Sequence, residues 1–391
     1  MSELIYMDNA ATTYPKPAEM LDFMFDFYRR YGVSPGRSGT DMAVTAEETV
    51  TAARETLTAF FGGGGSPDRL VFTQNASDSL NMAIQGTLAP GDHVVHTDLD
   101  HNSVLRPVYH LQKAGRIEAT RLPFDGQGRI DPDDVARAVR PNTRLVVLNH
   151  GSNALGTVQP VREVGAICRA RDIPFAVDAA QTAGIIPIDM QEMGIDILCF
   201  TGHKSLMGPT GIGGMYVREG VTVNPIRYGG TGVRSEYPDH LEEYPWRLEC
   251  GTLNVMGIAG LLAGVRWVQA EGLAAAYARE MRLTERLVQG IREIAGVTLY
   301  CADNLADHLP VISVNVAGMT ANNVGTLLDV KFNVATRTGL LCTPRVHERL
   351  GTVETRGTVR FSLGPFNTEA HIDTALEGLR DIAERRGRQG S

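Results

Sequence analysis

From residue 70 to residue 217, short apolar runs alternate with longer stretches whose apolar positions recur every three or four residues. The runs Leu70–Thr73, His93–Thr97, 145–149, Phe175–Asp178, 195–200 and 214–217 are rich in β-branched residues and almost unbroken in apolar character. Strands of that kind are buried on both faces, as in a parallel sheet. Segments 77–88 and 161–171 read as helices between them, and such alternation predicts an α/β layered domain. The rhythm changes after Asn254. A helical tract over 256–294 leads to strands at Val311–Val316, 332–336 and 358–363, and an amphipathic helix over 368–384 closes the chain. Fewer strands and longer helices predict a smaller α+β unit. The division expected is a large domain over 16–255 and a small one over 1–15 and 256–391. The glycine run 62–65 lacks the Lys-Ser/Thr of a phosphate loop and reads as a helix-to-strand connector.

Composition narrows the picture. The 391 residues, 21% charged and 43% hydrophobic, fit ordinary globular usage and suffice for two cores. Five scattered cysteines (Cys168, Cys199, Cys250, Cys301 and Cys342), with no CxxC spacing, argue against a disulfide framework and a thiolate metal cage. No metal site is expected, and a reducing cytoplasm is the expected location. A net charge of −8 without a basic block gives no reason to expect a nucleic-acid partner. No apolar run is long enough to span a membrane, and the N-terminal residues show no secretion signal.

The chemistry gathers at predicted strand ends. Thr201-Gly202-His203-Lys204 follows an apolar strand and precedes a glycine-rich turn. Open α/β sheets bind ligands beyond their carboxyl ends, and there a lysine amine is desolvated and its pKa lowered, as Schiff-base chemistry needs. A surface lysine in a glycine-rich turn is the simpler reading, and the neighbours argue against it. Asp178 ends another strand. A buried carboxylate there can hold the proton that makes a pyridoxal ring an electron sink. Gln181, on the same loop, is placed to donate to the ring's phenolate oxygen. Taken singly, Asp178 would pass for a helix N-cap. Asn75, Ala76 and Ser77 open an apolar helix, whose free N–H groups and dipole suit a phosphate. A fourth strand end offers His101, an imidazole able to stack on a pyridine face and move protons. These pieces together point to pyridoxal 5'-phosphate carried on Lys204.

Their order resembles the class V aminotransferase family of fold-type I pyridoxal-phosphate enzymes, and cysteine desulfurases match best within it. The resemblance runs from Met7-Asp8-Asn9-Ala10-Ala11-Thr12-Thr13 through His150-Gly151-Ser152-Asn153-Ala154-Leu155-Gly156-Thr157. It takes in Asp178, Gln181, His203-Lys204 and Glu249-Cys250-Gly251-Thr252-Leu253-Asn254, and ends in Arg360-Phe361-Ser362-Leu363-Gly364-Pro365-Phe366-Asn367-Thr368. It implies a large, mostly parallel-sheet domain with a smaller α+β domain. It implies Lys204 as the Schiff-base lysine, His101 as the stacking histidine, and Asp178 and Gln181 as ring partners. Ser77, Thr201 and His203 would bind the phosphate. Thr252 would reach the phosphate of a neighbouring subunit, so a homodimer with shared sites is implied. Arg360 resembles the arginine that clamps the substrate carboxylate, a bidentate task suited to guanidinium. Asn153 stands where the family keeps an asparagine near cofactor and substrate.

Cys342 discriminates among the reactions this cofactor supports. It lies in Arg337-Thr338-Gly339-Leu340-Leu341-Cys342-Thr343-Pro344 and resembles the nucleophilic cysteine of group II, SUF-type desulfurases. Those enzymes typically carry two histidines where this chain has Leu340 and Leu341, and an alanine where it has Thr343. Cys168, Cys199 and Cys301 read as small buried hydrophobes, and the family pattern gives Cys250 no chemistry. The expected reaction takes L-cysteine, held by Arg360. Lys204 removes the Cα proton, Cys342 attacks the substrate sulfur, and His101 shuttles protons. Alanine leaves, and the persulfide on Cys342 passes to an acceptor thiol. Other enzyme readings are a selenocysteine or cysteine-sulfinate lyase, or a C–S lyase or aminotransferase acting on a larger amine. A cofactor-binding regulator or scaffold without turnover is the reading from another class, and the joint presence of Lys204, Asp178 and Arg360 argues against it.

Overall fold

Successive residues of the central strands part to opposite sides of one sheet, and this division builds the larger body of the protein. The computed structural model describes residues 4–36 and 39–389. The chain opens with β1 (Ile5–Tyr6), α1 (Ala18–Tyr31) and α2 (Asp41–Phe60). Strand and helix then alternate through β2 (Leu70–Thr73), α3 (Ala76–Thr87), β3 (His93–Thr97), α4 (Asn102–Lys113) and β4 (Glu118–Leu122). They continue through α5 (Pro132–Ala138), β5 (Thr143–Asn149), α6 (Val161–Ala170), β6 (Phe175–Asp178), β7 (Ile197–Thr201) and β8 (Gly213–Val217). These strands form a seven-stranded sheet in the order β2-β8-β7-β6-β5-β3-β4. Only β8 runs antiparallel to its neighbours.

On one face Val146, Leu148, Phe175, Val177, Leu198 and Phe200 enter one core. On the other, Leu145, Val147, Ala176, Ile197 and Cys199 enter a second. The period of two in a strand is the cause, and each large side chain so buried contributes about 1.5–3 kcal/mol.

The chain continues through α7 (Val255–Glu271), α8 (Leu273–Arg292), β9 (Val297–Tyr300), β10 (Val311–Val316), α9 (Ala321–Phe332), β11 (Val334–Ala335) and β12 (Arg337–Gly339). It ends with α10 (Pro344–Leu350), β13 (Thr358–Ser362) and α11 (Glu369–Gln389). An antiparallel sheet, β12-β13-β10-β9, packs with α8, α9 and α11 around Leu287, Ile312, Leu328, Phe361 and Leu379. The N-terminus is stitched to this smaller body, because β1 pairs in parallel with β11 and Met7 enters its core.

Several expectations change. The tract over 256–294 is two helices, broken at Gly272, whose φ of +78° suits glycine. Its first half, α7, buries Ile258, Leu261, Leu262 and Val265 in the larger core, so the expected 255/256 division falls at the start of a helix belonging to that core. The strand expected over 332–336 shrinks to β11. Phe332 ends α9, and Asn333 caps that helix in the left-handed region at φ +54°. Helices α1 and α2 and strands β4 and β9 were not anticipated. β4 is a sheet-edge strand with exposed Glu118 and Arg121, so its apolar signal is weak. Among the described residues, no helix is long and apolar enough to cross a membrane.

Candidate active site

The segments following β2, β3, β5, β6 and β7 converge on one cavity of ≈ 370 Å³. The N-terminal segment and the loop between β12 and α10 complete its wall. The site thus lies at the carboxyl ends of parallel strands, where the fold leaves loop backbone and helix starts free for a ligand. Lys204, Asp178, Gln181, His101, Asn75, Ala76, Ser77, Asn153, Thr201, His203, Arg360 and Cys342 all line it. Thr252 does not: it is exposed on the segment before α7.

On the sheet side, Asp178 is the last residue of β6, and its Oδ1 accepts the Ala180 N–H at 2.9 Å. Burial raises its pKa, while that N–H and the Lys204 charge oppose the rise. Burial pushes the Lys204 amine down to about 8; Arg360 adds to this, and Asp178, Cys342 and Asp8 oppose it. The peptide before Lys204 is firmly held. The His203 carbonyl accepts from the Thr13 N–H (3.2 Å), Thr12 Oγ1 (3.0 Å) and Lys16 Nζ (2.6 Å). Gln181 Nε2 donates to the Ala10 carbonyl at 3.0 Å, binding the same N-terminal segment to the β6 loop.

At the helix starts, Asn75 caps α3 by accepting the Asp78 N–H at 3.0 Å. A Cβ at Gly213 would stand 2.8 Å from Asn75 Cα, so only glycine lets β8 pass this close to the helix start. His101 caps α4, and its Nδ1 accepts the Ser103 N–H at 3.1 Å. The neutral ring therefore carries its proton on Nε2. Burial, with Lys204, Arg106 and Arg360, pushes His101 down to about 4. Ser103 Oγ bridges His101 Nδ1 and Ser77 Oγ, linking two strand ends.

The opposite wall carries Arg360, 3% exposed, on β13. Its Nη2 donates to Asp8 Oδ1 at 2.6 Å and its Nη1 to the Asn153 carbonyl at 2.9 Å. Cys342 is exposed, whereas Cys168 and Cys199 are buried and Cys250 and Cys301 partly so. Burial pushes the Cys168 thiol to about 12 and the Cys301 thiol to about 11. Leu341 and Cys342 both adopt left-handed backbone, at φ +50° and +61°. Such conformations cost about 1–3 kcal/mol each and persist only where surroundings enforce them. Here the Leu341 carbonyl accepts from Asn153 Nδ2 (2.6 Å), and the Cys342 carbonyl accepts the Asn102 N–H (2.8 Å). The Leu341 side chain, 6% exposed, packs into the larger core.

The cavity also contains residues that sequence reasoning gave no role: Asn149, Ser103 and Arg337. Asp8 and Lys16 act just behind it. Asp8 stood within the quoted Met7–Thr13 motif and Asn149 at a predicted strand end, so both had a signal. Ser103, two positions after His101, had one as well, and Lys16 had none.

The residues present fit pyridoxal phosphate. Asn149 Oδ1, Asn153 Oδ1, Thr201 Oγ1, His203 Nδ1 and Arg360 Nε are buried around the cavity without a hydrogen-bond partner in the chain. Such groups call for a polar ligand. A helix start, a desolvated amine and a buried carboxylate supply the complementary set for a phosphate, an aldehyde and a ring nitrogen.

Comparison with known proteins agrees. Residues 5–375 match the family described as "Aminotransferase class-V". The chain is 33% identical over 384 residues to a "probable cysteine desulfurase" of Methanothermobacter thermautotrophicus, covering 97% of this chain and 94% of that one. The solved apo structure of a cysteine desulfurase from Thermococcus onnurineus NA1 is 32% identical with a TM-score of 0.90, covering 97% of this chain and 95% of that one. A cysteine desulfurase from Escherichia coli, solved in an S-sulfonic acid form, is 26% identical with a TM-score of 0.87, covering 98% and 95%. The match over nearly the whole length, in sequence and in fold, places this chain in the class V aminotransferase family, among the cysteine desulfurases.

Proposed function

We propose that this chain is a pyridoxal-phosphate-dependent cysteine desulfurase that converts L-cysteine to L-alanine and keeps the sulfur as a persulfide on Cys342. The observation that carries this reading is the meeting in one cavity of half-buried Lys204, buried Asp178 and Arg360, and the exposed Cys342. Family membership supports the cofactor, because class V aminotransferases are pyridoxal-phosphate enzymes.

When bound, pyridoxal phosphate supplies an electron-accepting ring that makes the substrate's Cα proton removable. Lys204 Nζ would hold it covalently, Asp178 would keep its ring nitrogen protonated, and Gln181 would face its phenolate oxygen. Asn75, Ala76, Ser77, Thr201 and His203 would hold its phosphate, and His101 would lie against its ring. Arg360 binds the substrate carboxylate. The substrate amine would displace Lys204 from the cofactor, and the freed Lys204 amine, depressed by burial to about 8, takes the Cα proton at Nζ. Cys342 Sγ forms a bond to the substrate sulfur as the substrate's Cβ–S bond breaks, and the electron pair stays with the carbon skeleton. The proton given up by the Cys342 thiol goes to the substrate's Cβ, with His101 as the relay, and Lys204 returns the Cα proton, so the skeleton leaves as alanine. The persulfide departs to an acceptor thiol from the exposed side of Cys342.

The finer assignments follow from the same resemblance. A homodimer would place exposed Thr252 at the partner's phosphate, and α1 leaves the rings of Phe23, Phe25 and Tyr28 exposed. The SUF-type grouping rests on the Arg337-Thr338-Gly339 lead to Cys342, and a cytoplasmic location rests on five unpaired thiols. We divide the chain after α7, with the N-terminal segment in the smaller unit. The test is direct. Purified holoenzyme given L-cysteine should release equal amounts of alanine and reducible sulfur, and peptide mapping after a brief pulse should find one added sulfur on Cys342. Alanine release with no sulfur on Cys342 would overturn the nucleophile assignment.

A further inference from the structure

Asn153 stands between the two halves of the proposed chemistry. Its carbonyl accepts Arg360 Nη1 at 2.9 Å, and its side-chain Nδ2 donates to the Leu341 carbonyl at 2.6 Å. Leu341 immediately precedes Cys342 and lies in left-handed backbone, so the position of Cys342 depends on what holds that peptide. Asn153 Oδ1 is buried, lacks a partner in the chain and borders the cavity. Arg360 Nε is in the same condition. One residue therefore meets the guanidinium with its backbone, the cavity with its amide oxygen and the cysteine loop with its amide nitrogen.

We infer that Asn153 is a positioning residue that couples occupancy of the Arg360 carboxylate clamp to the placement of Cys342. The inference rests on the desulfurase reading above and adds a link within it. A carboxylate arriving at Arg360 draws on the guanidinium that now donates to the Asn153 carbonyl and Asp8. Any shift of that peptide moves the amide that fixes Leu341. The loop has few alternatives for responding. The Cys342 carbonyl is held by the Asn102 N–H and the Leu341 side chain by the larger core, so movement at Leu341 turns Cys342 about those anchors. The nucleophile is thereby aligned when a substrate carboxylate is in place.

The test reads the thiol rather than turnover. Iodoacetamide alkylation of Cys342, followed by peptide mass spectrometry, is timed in holoenzyme with and without saturating L-alanine, which brings a carboxylate but no transferable sulfur. In the wild type, L-alanine should change the alkylation rate at least threefold. In Asn153→Ala, and in the near-isosteric Asn153→Asp, which lacks the donor, the basal rate should rise severalfold. The L-alanine response should vanish while L-alanine still perturbs the visible spectrum. A wild-type basal rate and a wild-type response in Asn153→Asp would overturn the inference, as would a wild-type thiol indifferent to L-alanine. The desulfurase reading fails separately, if wild-type enzyme yields no alanine and sulfur from L-cysteine.

Discussion

Asp178 and Cys342 border the same cavity, yet they are held in different ways. Asp178 closes a strand whose four residues are all buried, and the alternation of that strand alone dictates which way its carboxylate faces. Cys342 sits in a loop with two successive left-handed residues, fixed by donors that come from α4 and from the segment after β5. The sheet side inherits its geometry from regular structure, so its groups can be deeply buried and their pKa values pushed far. The loop side needs tertiary hydrogen bonds to exist in this shape at all. It gains in return a thiol that both lines the cavity and reaches solvent. In the mechanism proposed above, cofactor chemistry would be served by rigidity, and sulfur transfer by a strained but anchored exposure.

Substitutions on each side should break differently. The largest effect is expected for Lys204→Ala. Turnover should fall by at least about 10⁴-fold, the upper range for a proton-transferring group, and borohydride should no longer fix cofactor to any peptide. Cofactor still linked to a lysine in that variant would break the sheet side of the comparison. Cys342→Ala comes next, with sulfur release lowered by about 10³-fold, equivalent to about 4 kcal/mol. Its visible spectrum should still respond to L-cysteine, because Lys204 and Arg360 remain; undiminished sulfur release would remove the loop from the mechanism. Asp178→Asn should slow Cα-proton exchange of L-alanine, followed by NMR in D₂O, by about 10²-fold, with cofactor lost more readily on dialysis. Unchanged exchange would point to another carboxylate.

Smaller effects sharpen the picture. Arg360→Lys keeps the charge but loses the fork that serves Asp8 and Asn153, at a cost of ~2 kcal/mol. That should raise KM for L-cysteine roughly 30-fold, and a KM unchanged in steady-state assays would deny Arg360 its clamp role. The last is a pH dependence. Burial lowers the Lys204 pKa to about 8, so the free amine is the major form above that value and the ammonium below it. Cofactor attachment to apoprotein, timed by absorbance, should rise with pH through about 8 and level off above. Below it the rate should drop about tenfold per pH unit, following the neutral fraction. A flat profile from pH 6 to 9 would place the relevant amine elsewhere.

The same contrast governs what the sequence made legible. Strands β2, β3, β5, β6 and β7 announced themselves by continuous apolar runs, and with them came Asn75, His101, Asp178 and Lys204 at their ends. β4 was silent because an edge strand can carry Glu118 and Arg121 on its open side. The role of Asp8 was hidden by its separation of 352 positions from Arg360, which no local pattern spans. The Cys342 loop was found by its neighbours in sequence, but its left-handed backbone was not, since Leu and Cys carry no intrinsic preference for it. Gly357 shows why the loop closes: at φ +91°, a Cβ there would stand 2.1 Å from the Gly339 carbonyl oxygen. That contact, too, is legible only in three dimensions.

The pairing of Asp8 with Arg360 also sets an order of events during synthesis. Asp8 leaves the ribosome among the first residues, and its partner follows 352 positions later. At roughly 5–20 residues per second that interval is roughly 20–70 s. Within it every strand of the larger sheet has emerged, so the cofactor floor can form on a nascent chain while the carboxylate clamp has no arginine. Strand β1 waits as well, because β11 lies near the far end of the chain. On the role proposed for Arg360, a chain halted short of β13 would be able to assemble its cofactor floor but would be blind to substrate, and the ability to select a carboxylate would come late in the protein's making.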